Sequence, residues 1–260
     1  GMARHAEAEA LHRRAAEARE ASTVARTTAD TGAGRMQAMQ LAMAEMKTAG
    51  EDIAKILKDE GLLDTVTNLV EWPTAVLGSF DPSNLTLPPE VLISEMKSHQ
   101  KYFSIVDDAG KLMPYFVAIS STPVRELELS RRGYQRVLRA RLADARFFFD
   151  EDQRKPLPSL VDELKKIVFQ QQLGTSYEKL ERFRTLALWL AQETKKGDAR
   201  TIERAATLAK ADLVTGMVGE FPELQGMVGR EYARKQGEPE AVSLAIDEHY
   251  MPRNSGDALP

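Results

Sequence analysis

The stretch RVLRARLADARFFFDED, residues 136–152, decides the fold. Four arginines fall within eleven residues, and three phenylalanines and a run of acids follow. At about 100° per residue, Val137, Leu138, Leu142, Ala145, Phe148 and Phe149 share one broad apolar arc, so the stretch reads as an amphipathic helix facing a core. Arg139 and Arg146 sit together on the opposite edge, with Asp150 one turn beyond Arg146. They read either as a surface ion pair of little worth or as a hold on something anionic. Arg141 falls inside the apolar arc, where an unpaired guanidinium is costly, so it predicts a partner. Asp144, three residues on, is the nearest carboxylate, and the two are read as a structural ion pair.

Downstream of Glu126 strand signals fade. Helical patterns succeed one another at roughly 130–153, 157–171, 176–195, 199–217, 220–235 and 238–249, which predicts an all-α half. Upstream, LLDTVTNLVEWP predicts a short helix stopped by Pro73, and TAVLGSF a strand. LPPEVLISEMKSHQKYF opens on a proline pair suited to a helix start and predicts a helix to about Gln100. The runs YFSIV and KLMPYFVAIS, around the turn signal DDAG, predict a hairpin. Residues 3–26 favour helix by propensity but have little to bury. A second helix is expected from about Met36 to Lys58, with Met36, Met39, Met43 and Met46 on one core-facing side.

A chain of 260 residues can bury a sizeable core. It has no cysteine, which excludes disulfides, thiolate metal sites and cysteine nucleophiles and points to a reducing, cytoplasmic setting. No apolar run approaches the roughly 20 residues that span a bilayer, and no secretory core is present, so a membrane role is not expected. The net charge of -4 argues against a wholly basic nucleic-acid coat, and any polyanion must be met by a local patch. Gly1 ahead of Met2 and the abrupt end SGDALP suggest a piece of something longer.

Signals of catalysis are missing. The four histidines are His5, His12, His99 and His249, with no serine–histidine–acid pattern, no glycine-rich phosphate loop and no His-x-x-x-His pair. His99 stands in SHQKYF beside Lys101, where a helix hands over to a strand; it reads as a capping residue or as a phosphate or base contact.

Seven blocks, LLDTVTNLVEWP, LGSFD, LPPEVLISEMKSHQKYF, RVLRARLADARFFFDED, LGTSYEKLERF, LAKADLVTGMVGEFPELQGMVGREYA and EHYMPRNSGDALP, closely resemble in order the central part of the bacterial glycyl-tRNA synthetase beta subunit. They cover residues 62–260, whereas residues 1–56 carry no such block. The family usually reads Gly-Asn-Glu-Arg where this chain has Gly133, Tyr134, Gln135 and Arg136. The resemblance implies a non-catalytic fragment that supports tRNA(Gly) binding and subunit assembly. It implies a partner alpha subunit holding the active site with its ATP and magnesium, a heterotetrameric ligase, and no cofactor or DNA for this fragment. Under it Arg136, Arg139, Arg146, His99 and Lys101 become candidate tRNA contacts.

The helical half also resembles a worn HD-superfamily domain, a fold that normally holds metal for phosphohydrolysis. Asp212 and His249 match its ligand positions, but Ala211 stands where the dyad histidine belongs and Tyr250 where a second late histidine belongs. Two survivors seldom make a metal site, so no metal is expected. The expected architecture is α+β and mostly helical: a helical segment over 1–60, a small α/β portion with a hairpin over 61–128, and an all-α HD-like domain over 129–260. An HD-type metal-dependent phosphohydrolase and a purely structural scaffold are the alternative readings.

Overall fold

The structure, a computed structural model, describes residues 55–253, 255–257 and 259. The helix expected over 3–26 and the methionine face of the next one therefore lie outside the described residues. The chain forms two compact units, residues 55–85 with 95–140, and residues 86–94 with 141–259.

The first unit is built on a four-stranded antiparallel sheet ordered β1-β3-β4-β2, with β1 Lys55–Ile56, β2 Thr74–Ser79, β3 Phe103–Val106 and β4 Leu112–Ser120. At the end of the helix expected over Met36 to Lys58, Lys55 and Ile56 instead form a strand, paired with Val106 and Ile105. Helix α1, Glu60–Leu69, begins where Asp59 accepts a hydrogen bond from Leu62 N at 2.8 Å. Leu62, Leu63 and Val66 then repeat at helical spacing and pack with Val70, Phe103, Ile105 and Val117 as the core. The hairpin turn is held by Asp107, whose Oδ1 accepts from Ala109 N and Lys111 N at 3.0 and 2.8 Å. Gly78, opposite Phe116 in the register, has no alternative: a Cβ there would run into the Phe116 ring.

Tyr102 stacks on Phe116 at 4.7 Å between centroids and meets Tyr134 edge-on at 5.7 Å. Burial and the Tyr134 hydroxyl push the Tyr102 phenol up to about 12. Tyr134 belongs to α3, Leu127–Asp152, whose first part is fastened to β2 by Gln135 Nε2 donating to Ser79 Oγ at 2.8 Å and Arg131 Nε donating to Leu77 O at 2.8 Å.

The second unit is helical. Helix α2, Pro89–Ser94, belongs to it, as do residues 141–152 of α3. Then come a 3-10 segment Leu157–Lys166, α4 Ser176–Thr194, α5 Ala199–Leu208, α6 Gly216–Glu220, α7 Met227–Lys235 and α8 Glu240–Glu248. Leu138, Leu142, Ala145 and Phe149 are buried, as the apolar arc predicts, whereas Val137 is exposed and Phe148 half-buried. The expected all-α half carries one exception. Residues 157–171 do not form a continuous helix; the 3-10 segment gives way to a small antiparallel hairpin of β5 Val168–Gln170 and β6 Gly174–Thr175. Pro156 and Pro158 leave the segment short of amide donors, and Gly174 takes the positive φ of 85° that the turn requires. A capping box between Thr175 and Glu178 then starts α4.

Candidate functional site

Two exposed arginines, Arg136 and Arg139, stand on the first part of α3. The Arg139 charge helps to hold the Asp81 carboxyl below its ordinary value, after the larger effect of the Ser83 N–H that donates to Asp81 Oδ1 at 2.9 Å. Arg146 lies on the later part of the same helix and is half-buried. His99 ends a π-helical turn, Glu95–His99, with Nε2 3.9 Å from Oε1 of the fully buried Glu95. Lys101 has a φ of 57°, and its Nζ donates to Ser98 O at 2.7 Å, so it closes the preceding turn with its own ammonium.

The expected Arg141–Asp144 pair is corrected. Arg141 Nη1 lies 3.6 Å from Glu220 Oε1, while Asp144 is exposed on the outer side of the helix. Both members of the observed pair keep more than a third of their side-chain surface in water, 37% and 45%. The arc drawn from helical angles places Arg141 at the rim of the buried face, where its long stem lets the guanidinium reach solvent and a neighbouring segment.

At two positions that the HD resemblance singles out, Ala211 and Asp212 are both fully buried. Asp212 Oδ2 accepts from Gly226 N at 2.5 Å, and burial raises its carboxyl to about 6 against the opposing pull of that bond and of Lys210. Tyr250 stands where that resemblance expects a second late histidine. Its hydroxyl lies 3.3 Å from Gln225 Oε1, and its ring lies so close to Gly226 that a Cβ there would approach it to 2.6 Å. His249 Nδ1 lies 2.8 Å from Ile246 O, at the end of its own helix. Among the described residues no three histidine, aspartate or glutamate side chains converge as a metal site needs. The residues present do not fit the metal of an HD hydrolase: one surviving position is turned to backbone, and the other caps a helix.

Two features escaped the sequence reading. Arg230 is a hub, with Nη1 2.7 Å from Asp247, Nη2 2.9 Å from Glu90 and Nε 3.2 Å from Glu231. The second is an apolar cavity of about 560 Å³ lined by α4, α5 and the end of α8. Its hint in sequence is Lys210, a lysine set among Leu208, Ala209 and Ala211.

Known proteins share this chain's sequence over almost all of its length. Residues 17–260 match the family described as Glycyl-tRNA synthetase beta subunit. The match takes in most of the segment before residue 57 in which no family block was found. The "Glycine--tRNA ligase beta subunit" of Myxococcus xanthus (strain DK1622) is 63% identical over 237 residues, which cover 91% of this chain and 33% of that protein. The protein of the same name from Geobacter sulfurreducens is 57% identical over 214 residues, 82% of this chain and 31% of its own length. This chain spans about a third of the curated relatives it matches. An identity of 63% to one relative and a family match across 17–260 leave one conclusion about descent: the chain belongs to the glycyl-tRNA synthetase beta subunit family.

Proposed function

We propose that this chain is a non-catalytic part of the beta subunit of a two-subunit glycine–tRNA ligase, supporting tRNA(Gly) binding and assembly with the alpha subunit in a cytoplasmic heterotetramer. The alpha subunit supplies the site for ATP, magnesium and glycine, and neither DNA nor a membrane is a partner. The family match over residues 17–260 carries this reading. Two things support it. The positions that would hold a hydrolytic metal are Ala211 and Tyr250 beside an inward-turned Asp212, and no described helix is long and apolar enough to cross a membrane.

In this reading Arg136 and Arg139 contact the tRNA backbone. Each presents a planar fork of donors that suits phosphate oxygens, and both are exposed on one rigid helix fastened to the sheet. Arg146 is a secondary candidate because it is half-buried, and His99 because its ring faces the buried Glu95; Lys101 contributes least because its ammonium is occupied by Ser98 O. Contacts of this kind neutralise phosphates and release counterions, so binding weakens steeply with salt and carries little sequence information. The division of labour is tested by glycine-dependent pyrophosphate exchange. The chain alone is inactive and leaves the alpha subunit to form glycyl-adenylate; exchange by the chain alone, free of host enzyme, overturns the non-catalytic assignment.

A further inference from the structure

We propose that the cavity lined by α4, α5 and the end of α8 binds an amphipathic carboxylate, its apolar chain in the groove and its single negative charge at Lys179 and Lys210. The walls are Phe183, Leu186 and Leu190 of α4 facing Ile202 and Ala206 of α5, and the volume of about 560 Å³ is that of an ordinary small-ligand pocket. Leu186 and Leu190 are 54% and 45% exposed, so the groove opens to solvent along its apolar length.

Its polar groups gather at one end. Lys179 is near the start of α4 and Lys210 just beyond the end of α5, and the four-residue link between these helices brings those termini to the same end. Neither lysine forms an ion pair among the described residues. Lys179 Nζ lies 3.7 Å above the Phe169 ring and Lys210 Nζ 3.7 Å above the Tyr250 ring, so aromatic faces hold the two ammonium groups in place without an ion pair to either.

The local charge selects a monoanion. Desolvation, with the Lys179 charge, lowers Lys210 to about 8, so it is mostly charged at pH 7. Asp212, at about 6, is mostly ionised there. His249 is lowered to about 4, by loss of water first and by the Lys210 charge second, and is neutral. Arg253, beyond the Tyr250 ring, is matched by Asp247 at 3.2 Å. Lys179 and Lys210 line the cavity, and Asp212, fully buried and not itself a lining residue, offsets part of the Lys210 charge, so a carboxylate suits this end better than a phosphate dianion.

Isothermal titration calorimetry on the chain at pH 7 tests this, with decanoate below its micellar concentration and decyltrimethylammonium as the oppositely charged control. Decanoate binds one to one and at least about tenfold more tightly than the cation. The Lys179→Met/Lys210→Met variant loses that preference, and Ala187→Trp, which fills the groove from an incompletely buried position, abolishes uptake of both, with circular dichroism confirming that each variant is folded. Equal affinity for anion and cation, decanoate binding unmoved by either variant, or no saturable binding at all overturns the proposal; the last result would hand the groove to an apolar segment of a protein.

Discussion

Tyr232 donates a hydrogen bond to Asp152 Oδ2 at 3.0 Å, and the same carboxylate accepts from Gly216 N and Met217 N at 2.8 Å each. The last residue of α3 thus caps the first turn of α6, 64 residues away in sequence, and is steadied by a tyrosine from α7. Burial first, and the Asp152 charge second, hold the Tyr232 phenol above its ordinary value, so it remains a donor across the working pH range.

Replacing Asp152 by alanine orphans two helix-start amides and a buried phenol. A loss of about 2–4 kcal/mol is expected, read as a lower urea midpoint at unchanged slope. Tyr232→Phe leaves both amide bonds in place and should cost only about 1 kcal/mol.

Gly229→Ala tests the packing around Asp212. A Cβ at this position would approach Ile246 Cγ2 to 2.7 Å and Asp212 Cγ to 3.1 Å, and both neighbours are buried. The expected cost is about 1–3 kcal/mol, seen as a lower melting temperature; an unchanged melt would mean that α7 and α8 can part without penalty.

The Asp212 carboxyl also sets a pH dependence. Its folded value of about 6 exceeds the ordinary 3.8, chiefly because burial disfavours the charge. The folded state therefore holds its proton more tightly than the unfolded state, and this group's contribution to stability is present below about 3.8 and lost as pH rises through about 6. Measured against Asp212→Asn, which has no such charge, the native chain should lose about 2–3 kcal/mol between pH 4 and 7. Parallel stability curves for the two proteins across that window would contradict the assignment.

Arg141→Ala should change little. Its partner Glu220 is 3.6 Å away and both groups are well exposed, so about 0–1 kcal/mol is expected from denaturant unfolding. A loss of several kcal/mol would restore the internal brace that helical angles alone suggest.

That contrast shows where sequence stops being informative. The apolar arc of residues 136–152 foretells which side of α3 is buried, because helical angles fix the direction of Leu138, Leu142, Ala145 and Phe149. The same angles cannot say where Arg141 ends, since its long rotatable stem lets the fork choose its partner from the tertiary structure. The β5–β6 hairpin was hidden because Val168 and Phe169 are exposed, so they read like the apolar residues of a neighbouring helix. Pairings such as Arg230 with Glu90, or Asp152 with Gly216, span 140 and 64 residues and leave no local trace. The lysine-headed cavity was illegible for a related reason: its walls come from α4 and α5 and its charges from the start of α4 and the residues just beyond α5, and each helix read alone is an ordinary amphipathic one.

The most direct test of the account is the affinity of the chain for labelled tRNA(Gly) across a salt series from 50 to 200 mM, compared with an Arg136→Ala/Arg139→Ala variant whose melt is unchanged. The account predicts that affinity falls linearly on logarithmic axes, and that the variant binds more weakly with a slope shallower by about 2, one for each phosphate contact removed. An equal affinity and slope for the two proteins would return these arginines to a solvated helix face, and no binding even at about 50 mM salt would contradict the tRNA-binding role itself.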